Sequence, residues 1–104
     1  MSLRDQILAQ RSLPREMVSC PEWQVDVWVS VMSGADRDSW EHSIVANKDQ
    51  NMRNMRARLV VFTATDENGV RLFDEAEVEL VGSLNSIALN RIVDVVQRIN
   101  RLRN

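Results

Sequence analysis

At 104 residues, 12.0 kDa and a formal net charge of −2, the chain fits one domain with a single core and lacks the basic excess of a nucleic-acid or anionic-membrane surface. Its 44% hydrophobic and 27% charged residues exclude a disordered chain, and one cysteine, Cys20, excludes an internal disulfide framework and any multi-thiolate zinc or iron–sulfur site. No run approaches the ~18 apolar residues of a membrane span, and Arg4 and Asp5 stand where a signal peptide carries its apolar segment.

Met1 to Gln10 reads as a short helix built on Ile7 and Leu8 and closed before Pro14. A strand follows over residues 23–32, where Trp23, Val25, Val27, Val29 and Val31 alternate with Gln24, Asp26, Trp28, Ser30 and Met32. Residues 16–20 supply a partner strand through the Pro21-Glu22 turn, and helices must cover the valine face of that hairpin. Ser33 and Asp36 have the form of a capping box for a helix over 34–46 carrying Trp40 and Ile44. Met52, Met55, Leu59 and Phe62 recur at helical spacing, which predicts a helix over 50–64 against the β-rich competition of Val60 to Thr65. Asp66-Glu67-Asn68-Gly69 is a turn. Asp74 with Glu77, flanked by Phe73 and Val78, caps a helix over 75–81 that stops at Gly82. Ser83 caps the last helix, 84–102, whose stripe is Leu84, Ala88, Ile92, Val95, Val96, Ile99 and Leu102. The expected fold is α+β: one small, mostly helical domain over 1–104, an N-terminal β-hairpin packed by those helices.

Charge is segregated. Residues 66–79 hold six carboxylates and one arginine, a balance of −5, while residues 88–104 hold four arginines and one aspartate, a balance of +3. Inventory removes most enzyme templates: His42 is the sole histidine, tyrosine is absent, and three glycines make neither a dinucleotide-binding loop nor a P-loop. Cys20 with His42 is the one conceivable nucleophile–base pair, and its plainer reading is a buried thiol and an exposed helix histidine. The acidic stretch lacks calcium-loop spacing and reads as helix capping with solvated surface, so no metal, cofactor or catalytic residue is expected. Arg91, Arg98 and Arg101 share a face and define the nucleic-acid alternative, but no aromatic residues interleave them. Trp28, on the polar side of its strand, is either covered by the N-terminal segment or exposed for a partner. A chain of this size without chemistry works through its surfaces.

The order of segments resembles the tail assembly chaperones of long-tailed bacteriophages and prophages. The likeness is carried by Ile7-Leu8, by Pro21-Glu22-Trp23 leading into Val25-Asp26-Val27-Trp28-Val29, and by Ser33-Gly34-Ala35-Asp36-Arg37-Asp38-Ser39-Trp40-Glu41. It continues through Arg56-Ala57-Arg58-Leu59-Val60 into Thr65-Asp66-Glu67-Asn68-Gly69 and Leu72-Phe73. The resemblance implies a non-enzymatic factor of the infected bacterial cytoplasm, absent from the mature virion. Such a factor binds the tape measure protein, keeps it soluble and helps recruit tail tube subunits. Many such chaperones are accompanied by a longer frameshifted form, of which residues 1–104 would be the N-terminal part. Physically, a tape measure's amphipathic helices expose apolar stripes that aggregate unless covered, and self-association multiplies weak covering sites. The expected partner-binding residues are Trp28, Met52, Met55, Ile92, Val96 and Ile99; for the methionines and the last-helix residues the alternative is monomer core. The alternative functions are a structural tail component or another small protein-interaction module, then a nucleic-acid-binding regulator.

Overall fold

The computed structural model describes residues 2–46 and 54–102. Helix α1 (Leu3–Leu8) is capped by Ser2, whose hydroxyl accepts the Asp5 N–H, and none of its residues is buried. Strands β1 (Arg15–Cys20) and β2 (Val25–Ser30) form the predicted hairpin, with Val18 opposite Val27 and Met17 opposite Trp28. The second strand is shorter than the expected 23–32. Trp23 and Gln24 belong to the turn, whose N–H groups donate to the carbonyls of Cys20 and Pro21, and Gln24 adopts φ 56°.

Helix α2 (Gly34–Ala46) has the expected bounds, and the Ser33 hydroxyl accepts the Asp36 N–H at its start. It buries none of its residues fully; half-buried Trp40 packs onto the core, with the Arg37 guanidinium 5.5 Å from its ring centre. The helix expected over 50–64 is α3 (Met55–Thr63), residues 50–53 lying outside the described ones. Ala64 corrects the expectation: it leaves the helix and, with Thr65, forms β3 (Ala64–Thr65), paired to Val29 and Trp28. The β-branched run therefore serves as helix up to Thr63 and as strand after it. Sheet order is β1-β2-β3.

The acidic turn is held by Asp66, whose carboxylate accepts the N–H groups of Asn68 and Val70, with Gly69 at φ 84°. The expected helix 75–81 is a 3-10 turn, Glu75–Glu77, running into α4 (Val78–Gly82), and the capping box of Asp74 and Glu77 is present. Helix α5 (Ser86–Ile99) starts two residues later than expected and ends three earlier. Its cap is Asn85, whose side-chain oxygen accepts the N–H groups of Ile87 and Ala88, whereas the Ser83 hydroxyl donates back to the Leu80 carbonyl and closes α4.

Helix α5 lies across β1 and β2 on one side and against α3 on the other. Val18, Cys20, Val27 and Val29 from the sheet meet Leu89, Ile92, Val93 and Val96 from α5, with Ala57, Leu59, Val60 and Val61 completing the core. Each large aliphatic side chain buried there contributes about 1.5–3 kcal/mol. Every residue from Ala57 to Thr63 is buried, which requires α3 to be enclosed by α2, α4 and α5 rather than lie on a surface.

Asn100 fastens the end of α5 to the end of the hairpin. Its side-chain oxygen accepts the Met32 N–H at 2.7 Å, and its amide donates to the carbonyls of Val96 and Ser30 at 3.1 and 3.4 Å. Asn100→Ala leaves the Met32 N–H without that partner, and urea unfolding should show a loss of about 1–3 kcal/mol; an unchanged midpoint would show that water replaces the clasp at no cost.

Candidate functional site

Among the described residues, three surfaces group apolar side chains, apart from the singly exposed Val45, Val70, Leu80 and Ile87. The first is the outer face of the sheet, where the register sets Met17, Trp28 and Thr65 side by side on β1, β2 and β3. Met17 is exposed and Trp28 half-buried, and they border a shallow hollow with Asp26, Asp66, Glu67 and Leu72. The second is a groove of ≈ 300 Å³ at the turn end of the hairpin. Its floor is Val27, Val60, Ala64 and Ile92, and its walls are Trp23, Val25, Leu72, Phe73 and Leu84. The third is α1, which carries exposed Leu3, Ile7 and Leu8.

The expected partner-binding residues separate in the structure. Trp28 is on the outer sheet face, half-buried. Met52 lies outside the described residues. Met55 begins α3, half-buried, beside a hollow it shares with Gly82, Leu84 and Leu89. Ile92 and Val96 are 1% and 0% exposed and belong to the core between α5, the sheet and α3; Ile99 is half-buried against the same core. The stripe on α5 thus faces inward. The groove was not predicted, because its lining comes from five separated stretches of chain, although Val25 and Leu72-Phe73 were visible as apolar residues beside a turn and a cap.

The arginines of α5 are engaged by the hairpin. Both guanidinium nitrogens of Arg91 donate to the Glu22 carboxylate at the turn, and Arg98 donates to Glu16 at the other end of β1. These two pairs pin the strand along the helix, and they take Arg91 and Arg98 out of the set expected to face nucleic acid. Cys20 is buried, its thiol donating toward the Val18 carbonyl at 3.9 Å, and burial pushes its pKa up; His42 is exposed on α2. Asp66, Asp74 and Glu77 are engaged in turn and cap hydrogen bonds, and among the described residues no group of three or more His, Cys, Asp or Glu gathers as a metal site. No described helix is long and apolar enough to cross a membrane.

The sequence matches no family model and no curated protein. Among solved structures, the chain superimposes on that of the bacteriophage HK97 tail assembly chaperone with a TM-score of 0.66, over 95% of this chain and 100% of that one, at 20% identity. The chain has the fold of a tail assembly chaperone. The likeness is one of fold, and it embraces the hairpin and the helices together.

Within this chaperone fold the ion pair at the turn sets a pH window. The Arg91 guanidinium holds the Glu22 carboxyl down at about 2, from an ordinary 4.5. A lowered folded pKa gives stability that is complete above the ordinary value and is lost as pH falls from 4.5 toward 2. Thermal unfolding across that window should show a shallower fall for Glu22→Gln than for the unaltered chain; parallel curves would mean the pair adds nothing.

Proposed function

We propose that the chain is a tail assembly chaperone of a long-tailed phage or prophage, a non-enzymatic factor that binds the tape measure protein, keeps it soluble and helps bring tail tube subunits to it. The observation that carries this reading is the full-length likeness of fold to the HK97 chaperone, joined to the ordered sequence resemblance from Ile7 to Phe73. In this reading it acts in the host bacterial cytoplasm and leaves before the virion matures.

The client surface we assign is the outer sheet face around Met17 and Trp28. A tape measure's amphipathic helices present apolar stripes before the tube encloses them, and a large aromatic beside a flexible methionine suits a client whose sequence varies along its length. Each contact is weak. Many copies along one rod supply the coverage through multivalency.

Co-expression with a tape measure fragment tests this directly. The fragment should be recovered soluble with the chain and aggregated without it, and Met17→Lys, at an exposed position, should reduce the soluble yield severalfold. Equal aggregation with and without the chain contradicts the chaperone reading; full rescue by Met17→Lys moves the client to another face.

A further inference from the structure

Leu72 and Phe73 form a ridge with apolar surface beneath it and carboxylates on both sides. The groove below runs from Trp23 and Val25 at the hairpin turn to Ala64, which pairs with Val29 toward the other end of β2, and every residue lining it is hydrophobic. Its floor, Val27, Val60, Ala64 and Ile92, belongs to the core, while Val25 and Leu72 on its walls are 51% and 44% exposed. Apolar walls that meet water in this way are an anchor site for side chains of the same kind.

The rim says what the rest of the occupant carries. Leu72 borders the outer hollow that holds Asp26, Asp66 and Glu67, and with Phe73 it borders a second hollow that holds Asp74, Glu75 and Glu77. Hydrogen bonds to backbone N–H groups hold Asp66, Asp74 and Glu77 in place and leave their charge intact. The nearby cations are engaged. Arg71 donates to the Val61 carbonyl at 3.1 Å with its guanidinium 5.1 Å from the Phe62 ring centre, Arg15 donates to the Glu67 carbonyl at 3.1 Å, and Arg91 is paired with Glu22 at the turn. Six carboxylates thus stand around the ridge against Arg71 and Arg15, a balance of −4.

We propose that this groove is the docking site of a basic amphipathic helix supplied by another protein, with two aliphatic side chains seated between Val25, Phe73 and Leu84 and its Lys and Arg residues over the acidic rim. Side chains four apart on a helix lie about 5–6 Å from each other on one face, so such a pair can enter the ≈ 300 Å³ groove together. The apolar pair supplies affinity, and the carboxylates select positive flanks over negative ones. The site is on the core side of the sheet edge, apart from the Met17 side chain, and its occupant is defined by chemistry alone. Client binding on the outer face and docking here can therefore fail independently.

Fluorescence anisotropy of a labelled synthetic peptide, titrated with the full chain, provides the test. The probe is an amphipathic helix with a leucine stripe and lysines elsewhere, and its twin carries glutamates in place of the lysines. The lysine peptide should bind saturably and at least about tenfold more tightly than the twin, with the advantage shrinking as salt rises. Val25→Ser should weaken it at least about fivefold, with Leu72→Ser as a second variant if circular dichroism shows that the first does not fold. Met17→Ser, on the outer sheet face, should leave it unchanged. Absence of peptide binding, equal affinity for the two peptides, or a Val25→Ser chain that binds like the parent overturns the proposal. A loss with Met17→Ser as large as that with Val25→Ser also overturns it, because the peptide would then lie on the outer face. So does self-association of the chain that displaces bound peptide, because a second copy would then fill the groove.

Discussion

The contact of α5 with the sheet is the interaction on which the rest of this domain depends. A two-stranded hairpin and a two-residue third strand are marginal by themselves, and a nine-residue α3 whose residues from Ala57 to Thr63 are all buried has no stable exposed form. Ile92 and Val96 resolve both problems at once, because α5 sits between the hairpin valines and α3 and removes water from each. The polar contacts are arranged around that burial: Arg91 with Glu22 and Arg98 with Glu16 fix the strand along the helix, and Asn100 closes the seam at its end.

With one face of the sheet covered this completely, Met17 on the other face stays exposed and Trp28 half-buried. Trp28 and Met17 lie on the side no core helix covers, while the valines that alternate with them are spent on the core. The groove arises at the same boundary, where the turn places Val25 and Trp23 beyond the cover that α5 gives Val27. The described residues thus combine a firm interior with apolar side chains left at the surface, the feature on which the proposed chaperone reading draws.

Local chemistry was readable from the sequence where it is self-contained. The valine alternation located the hairpin, Ser33 located the start of α2, and Asp74 with Glu77 located the capping box, because each signal acts over a few residues. What the sequence hid depends on partners far along the chain. Ala64 fell at the end of the helix expected from the spacing of Met52 to Phe62, and it joins Thr65 as strand only because β2 offers an edge to pair with. Ser83 and Asn85 are both capping residues, and the choice between them follows from where α4 must end. Asn100 bonds to residues 68 and 70 positions away, and nothing around it in sequence marks it. The α5 stripe was correctly seen as apolar, but periodicity does not say whether such a stripe meets the chain's own core or a partner, and Ile92 and Val96 meet the core. Trp28 stood out as an apolar residue on a polar strand face, and the structure places it half-buried between exposed Met17 and buried Thr65.

The central claim is that a small scaffold with a sealed core offers apolar surface to a tape measure helix. Calorimetric titration of the chain with a tape measure fragment, repeated at several temperatures, tests it most directly. The account predicts saturable binding with a negative heat-capacity change, the mark of apolar surface leaving water; absence of binding at every temperature, or binding with no heat-capacity change, would contradict it.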